Sequence, residues 1–377
     1  MPNYSLSLWE AETWFAQQDY IVVGGGLVGL WTAYELKLTF PKAKITILER
    51  GVIPTGASTR NAGFACFGSP TEMLSDINTM GEAEMWNLVE MRYKGIEKIK
   101  KVLGDEAISF DGCGGFECFT RAKHNLPEIE EKLVWLNKGL KYITGIEDTF
   151  TWSNEKLAQQ GLMGFEALIE NKLEGGLHSG KLVMALSKKV QDLGVNILTG
   201  IEVKKWENSE NKVIVETCSF SIKTSKLIFA VNAFNYLVTN ILSCSIARGQ
   251  VLVTTPIEGL KLHGTFHFDE GYYYFRNVGN RILLGGARNS DFGNEMTDSF
   301  DTTDKIQKSL ETFLYQHFVN DVEFKIEYKW SGIMAFSENK KPIIKELELN
   351  VFSIVSCNGM GVALSPIIAE KFIDDFI

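Results

Sequence analysis

No apolar run in the chain approaches the roughly 20 residues that a membrane-crossing helix needs, so no integral membrane segment is expected. Positive charge is also short: 38 Lys and Arg against 47 Asp and Glu leave a net charge of −9. The signs are mixed along the chain, and without a basic stripe no nucleic-acid partner is expected. The six cysteines, Cys66, Cys113, Cys118, Cys218, Cys244 and Cys357, include no CxxC pair, which suits reduced thiols in a cytoplasmic protein better than a disulfide framework. Histidine is scarcer still, at five. His263 and His267 are separated by Gly264, Thr265 and Phe266, which favour extended chain. Four extended residues span roughly 13 Å, too far for one ion, and no metal site is expected. The first twenty residues carry Glu10, Glu12 and Asp19 and lack a basic end followed by an apolar core, so they do not read as a secretory signal. There is no internal repeat and no low-complexity segment.

What the chain does have is apolar surface. With 377 residues, 45% of them hydrophobic, it can bury a large core and is expected to fold as two interleaved domains. Near its start lies IVVGGGLVGLWTAYEL, Ile21 to Leu36. Asp19 to Val23 reads as a strand, Gly24, Gly26 and Gly29 form Gly-x-Gly-x-x-Gly, and helix formers follow on an apolar face. Gly24 permits the tight bend, Gly26 lets backbone approach a pyrophosphate, and Gly29 lets helix and strand pack closely. The helix start, at Leu27 and Val28, offers unpaired amides and a positive dipole end to phosphate. A second apolar run, Lys44 to Leu48, ends in Glu49, at the spacing expected of a ribose-binding carboxylate. Strand, glycines, helix, strand and acid in this order predict a dinucleotide site.

After Glu49-Arg50-Gly51 comes Pro54-Thr55-Gly56-Ala57-Ser58-Thr59-Arg60-Asn61-Ala62-Gly63-Phe64, small and hydroxyl residues that can line backbone amides along more of a cofactor. Here the sequence resembles the FAD-dependent amine and amino-acid oxidoreductase family that includes glycine oxidase, D-amino-acid oxidase and sarcosine oxidase. The resemblance recurs at Leu193 to Ile197 with Val203, at Lys226 to Ala233 with Asn232 where glycine is usual, at Ala247-Arg248-Gly249-Gln250, at Tyr272 to Arg276 with Arg281 to Gly286, and at Cys357 to Pro366. It implies FAD as cofactor, with contacts at Arg50, Ala57, Ser58, Asn61, Ala62, Gly63, Phe64 and Val203. It also implies that Asn358, Gly359, Met360, Gly361, Val362 and Ala363 open the last helix beside the flavin ring, where amides stabilise negative charge on its pyrimidine end. Sarcosine-oxidase-like members tether flavin through a cysteine in the neighbourhood of Trp330 to Pro342; this stretch has none, so FAD is expected to be noncovalent.

The expected fold is α/β: a Rossmann-like FAD-binding domain of residues 1–80, 170–240 and 330–377, and an α+β substrate domain of 81–169 and 241–329 built on an antiparallel sheet. Ile108 to Thr120 and Val251 to Gly286 read as its strands, and Glu82 to Val102 and Asp304 to Phe318 as helices that cover it. His178 precedes a helix and reads as structural. Glycine-oxidase-like members hold the substrate carboxylate with an arginine shortly after a Trp-x-Gly; Trp330-Ser331-Gly332-Ile333-Met334 puts Met334 there. Along Tyr272 to Arg276 a strand alternates its faces, so Tyr272, Tyr274 and Arg276 share a side. Arg276 then either forks onto an anionic substrate group or pairs with an acid of its own sheet, such as Asp269 or Glu270.

The expected activity is oxidation of a carbon–nitrogen bond in an amine or amino-acid-like substrate by hydride transfer to flavin, with dioxygen or another acceptor reoxidising it; Met334 in place of the arginine favours a larger amine, or an acid held differently, over a simple α-amino acid. Alternatives are a 2-hydroxy-acid dehydrogenase on the same fold, a tRNA-modifying flavoprotein, which the acidity disfavours, and a flavin-binding protein without turnover. No acid–base residue is assigned.

Overall fold

The computed structural model of the chain describes residues 5–209, 212–239, 244–318, 324–355 and 357–377. Two eight-stranded sheets organise it. In the first, Gln18–Val23 lies centrally, parallel to Ser221–Phe229 on one side and to Ile45–Glu49 on the other, with Asn196–Thr199 beyond. Val351–Val355 adds a parallel strand beside Ser221–Phe229. Strands buried on both faces read as continuous apolar runs rather than alternating ones, as Ile45–Glu49 shows by being buried throughout. The helix Leu27–Thr39 is covered nearly all round, because it packs against both Gly361–Phe376 and Ser179–Asp192.

The second sheet runs Ile326–Phe336, Ser245–Thr254, Arg281–Gly286, Tyr273–Val278, Thr265–Phe268, Gly115–Phe119, Ala167–Asn171, Phe150–Trp152. It is antiparallel as expected except at one junction: Thr265–Phe268 meets Gly115–Phe119 in parallel. These two strands are brought together from distant parts of the chain, so no hairpin dictates their sense. Across this sheet the register aligns Trp330, Val251, Gly285, Tyr274, His267 and Glu117 in one row. Residues paired in such a row project to the same side.

Helix Asp304–His317 covers the second sheet with Ile306, Leu310 and Phe313. Helix Glu82–Leu103, expected over the same sheet, packs instead on Gly361–Phe376. A Cβ at Gly95 would lie 1.8 Å from the Ala363 carbonyl oxygen; the absence of a side chain there lets the two backbones touch. The expected domain boundary at 240–241 lies outside the described residues.

Candidate active site

The glycine turn is shaped by close backbone approach. Gly24 has φ +110°, and a Cβ on Gly29 would lie 2.0 Å from the Gly24 carbonyl oxygen, so helix and strand meet there only without side chains. At the helix start the Leu27 amide donates to Ser58 Oγ over 2.9 Å. Glu49, at the end of its strand, accepts from the Gly25 amide over 2.9 Å and from the Gly51 amide over 2.8 Å. Each oxygen keeps a lone pair for a ribose hydroxyl.

From this turn a cavity of about 520 Å³ runs to the start of the last helix and up to the second sheet. All the cofactor residues predicted from the sequence line it except Gly29, which packs helix on strand, and Gly63. Asn61 fixes the intervening loop: its side chain donates to the Ala57 and Ser58 carbonyls and accepts from the Gly63 amide and the Ser179 hydroxyl. At the far end, Asn358 (φ +48°) and Gly359 (φ +83°) turn the chain into helix Gly361–Phe376. No side chain caps that helix, and its first residues, Gly361 to Ala363, line the cavity. Asn232, where glycine is usual, adopts φ +48°, a conformation asparagine tolerates. His178 caps the helix Ser179–Asp192 by accepting from the Lys181 amide over 3.2 Å.

The second sheet supplies the opposite wall. Tyr272, Tyr274 and Met334 line the cavity. A Cβ on Gly249 would lie 2.8 Å from Met334 Cε, and one on Gly359 3.7 Å from its sulfur, so the thioether bridges the sheet and the terminal turn. Burial pushes the Tyr274 phenol up to about 12. Phe64 stands edge-on to both Tyr274 and His267. Arg276 does not line the cavity. It shares a strand face with Tyr274, yet its guanidinium reaches the seam between the two sheets and donates to the Gly63 carbonyl over 2.6 Å and the Leu177 carbonyl over 3.0 Å. Asp269 and Glu270 take no bond from it among the described residues; Asp269 pairs with Lys123.

Several cavity residues escaped the sequence reading. Arg288 follows the strand Arg281–Gly286 by two residues. The terminal glycines, Gly285 and Gly286, were the available signal, since a strand ending in glycines turns sharply. Glu72 and Arg92 form an ion pair of 3.0 Å between two helices, and His267 lies beside them with Nε2 unpartnered. Burial lowers the His267 pKa, so its imidazole is neutral. Lys340 pairs with Asp76. Cys66 and Cys357 also border the cavity; burial pushes both thiols up, Cys357 to about 12, so neither is a ready thiolate for a flavin tether. His263 and His267 do not converge. His263 instead meets Asp111 over 2.8 Å, with Cys113 near, in an exposed group. A second concavity of about 940 Å³, lined by Phe165, Phe268, Phe313 and Lys308, opens on the face covered by Asp304–His317 and includes none of the Gly24–Gly29 turn.

A parallel sheet ending in a glycine turn and a carboxylate, roofed by a second sheet across one long cavity, defines a dinucleotide-dependent enzyme. Residues 19–374 match the family model DAO, FAD dependent oxidoreductase, and the chain belongs to that family. The donor set fits FAD: a turn for the pyrophosphate, Glu49 for the ribose, and helix-start amides for the flavin's pyrimidine end. Among curated proteins, the chain is 22% identical over 356 residues to a probable oxidoreductase, OrdL, of Rhizobium meliloti (strain 1021), covering 92% of this chain and 80% of that one. It is 23% identical over 364 residues to gamma-glutamylputrescine oxidoreductase of Escherichia coli (strain K12), covering 91% and 80%. Among solved structures it superposes on L-proline dehydrogenase from P. horikoshii with a TM-score of 0.75 at 18% identity, covering 95% of this chain and 93% of that one. For glycine oxidase from Bacillus cereus ATCC 14579 the TM-score is 0.71 at 17% identity, with 95% and 94% covered.

Proposed function

We propose that this FAD-dependent oxidoreductase oxidises the carbon–nitrogen bond of a small amine or amino-acid-like molecule. The observation that carries the reading is the uncharged wall beside Gly359, made by Met334, Tyr274 and Phe64. Burial against such a wall disfavours an ammonium and leaves the neutral amine, whose lone pair assists loss of hydride from the adjacent carbon. Bound FAD supplies the electron sink, passing electrons to dioxygen or another acceptor. Glu49 and the Gly24–Gly29 turn would hold the dinucleotide, residues 361–363 at the start of the last helix would border its flavin end, and Met334, Tyr274 and Phe64 would exclude water. The Tyr274 hydroxyl, kept protonated, can both donate to and accept from the substrate nitrogen.

The relatives support this reading, since those named above include enzymes of glycine, proline and gamma-glutamylputrescine. We infer the two-part division predicted from the sequence, with helix Glu82–Leu103 moved to the cofactor-binding part. All six cysteines are unpaired, which supports a reducing, cytoplasmic setting. No helix among the described residues is long and apolar enough to cross a membrane. His267 favours a second reading, oxidation of a 2-hydroxy acid, because a neutral, unpartnered imidazole can take a hydroxyl proton. Anaerobic mixing of the holoenzyme with amines, amino acids and 2-hydroxy acids, watching loss of visible flavin absorbance, separates them. Reduction by amines is expected. Reduction by hydroxy acids alone would establish the second reading, and reduction by none would leave a flavin-binding protein without turnover.

A further inference from the structure

We propose that Arg288 is the anion-binding residue of this cavity, and that it takes a carboxylate which the substrate carries several bonds away from the carbon being oxidised. The inference rests on the carbon–nitrogen reading above for its substrate and adds where the acid lies. Gly286 (φ +118°) and Ala287 (φ +58°) kink the chain at the end of the strand Arg281–Gly286, and the Ala287 amide is tied to the Tyr272 carbonyl over 2.8 Å. The next residue, Arg288, is thereby turned from the sheet into the cavity. Its guanidinium carbon lies 4.7 Å from the centre of the Phe336 ring and 5.1 Å from that of Phe292. Stacking engages the faces of the guanidinium and leaves its N–H edge open to a planar anion.

Among the described residues nothing answers that edge. No hydrogen bond or ion pair among the described residues reaches the Arg288 guanidinium, and the acid that acts on it, Glu295, is already held bidentate by Arg248 over 2.9 and 2.7 Å. Of the other cations lining the cavity, Arg92 is matched by Glu72 and Lys340 by Asp76, Arg60 donates to the Thr55 and Ser331 carbonyls, and Arg50 lies over the Phe234 ring at the dinucleotide end. A half-buried guanidinium without a counter-charge is costly unless a ligand supplies one.

Position sets the substrate class. Met334 packs next to Gly359 and makes the wall there apolar, whereas the Arg288 guanidinium lies between Phe336 and Phe292, and Phe292 is 43% exposed, which puts Arg288 at the outer end of the cavity. An α-amino acid keeps its carboxylate one bond from the reacting carbon and places it against Met334. An amine with its acid at the far end of a short chain places an apolar stem there and its carboxylate at Arg288, where the Tyr272 side chain also borders the cavity.

The test compares, on the wild-type holoenzyme and on Arg288→Met and Arg288→Lys, straight-chain alkylamines, ω-amino acids of the same length and α-amino acids, read as anaerobic flavin reduction. In parallel, succinate and glutarate are titrated against acetate, read as a shift of the flavin spectrum. In wild type, ω-amino acids are expected to show an apparent affinity about tenfold or more above the matched alkylamines, the size of one charge-assisted hydrogen bond. Arg288→Met is expected to lower the apparent affinity for ω-amino acids about tenfold more than that for the matched alkylamines, erasing the advantage, and Arg288→Lys to restore part of it. Equal losses for amines and acids in Arg288→Met would overturn the proposal. So would wild-type preference for α-amino acids, or ω-amino acids no better than alkylamines, and these two are read without any variant. If no amine reduces the flavin, the carbon–nitrogen reading fails by itself. The dicarboxylate titration still decides Arg288: a spectral shift abolished in Arg288→Met supports an anion site, and no shift in wild type removes it.

Discussion

Arg276 and Arg288 stand near each other in sequence and differ in every contact. The Arg276 guanidinium is buried and donates to the Gly63, Leu177 and Asn277 carbonyls, whereas Arg288 faces the cavity between two aromatic rings. Replacing Arg276 by methionine leaves the Gly63 and Leu177 carbonyls without that donor, at a cost of about 1–3 kcal/mol. Arg276→Met is therefore expected to lower the thermal unfolding midpoint and weaken FAD binding in apoprotein titrations, while acidic and neutral substrates lose equally. A selective loss for acidic substrates would show that the residue reaches the substrate after all.

Among the elements, the contact between helices Glu82–Leu103 and Gly361–Phe376 sets the position of the last helix's first turn, which lines the cavity. Gly95 is the touching point. On helix propensity alone, Gly95→Ala stabilises by about 1 kcal/mol. A Cβ 1.8 Å from the Ala363 carbonyl oxygen cannot be relieved by rotating a side chain, and overpacking of this kind costs about 1–3 kcal/mol. The clash is expected to win, giving a lower urea midpoint together with a higher FAD dissociation constant, because the displaced backbone belongs to the helix start. A variant more stable than wild type would mean that the helices part without disturbing the site.

The molecule as a whole carries a buried acid layer between its two sheets. Burial pushes Glu117 up to about 7 and Glu174 up to about 8. Glu117 accepts from Thr71, Glu174 accepts from the Phe67 and Gly68 amides, and the Glu72–Arg92 pair lies close by. In the unfolded chain both acids titrate near about 4.3. Between that value and about 8 the native state retains protons that the unfolded state has lost, so stability falls as pH rises through this window and levels off above it. Each group contributes up to about 1.4 kcal/mol per pH unit. Urea midpoints of the holoenzyme are expected to fall from about pH 6 to about pH 8, and Glu174→Gln, neutral throughout, to flatten the fall. A midpoint that rises over this range would mean that both carboxyls are ionised in the native protein.

The sequence by itself determined the dinucleotide turn from Gly24 to Gly29, Glu49, the loop to Phe64 and the terminal turn at Asn358 to Gly361, because each is a local pattern whose conformation its own glycines and small residues enforce. It also determined the alternation that puts Tyr272 and Tyr274 on the cavity side. What only the tertiary structure decided is which charges find partners. Arg276 meets Gly63 across 213 residues of sequence, and Glu72 meets Arg92 because two helices lean together. Strand periodicity chooses a face, but the end of a long side chain goes where unpaired carbonyls or carboxylates lie within reach, and those come from elsewhere in the chain. The helix Glu82–Leu103 was legible as a helix for the same local reason, and its neighbour was not, since Gly95 reveals a close approach without naming the backbone that makes it.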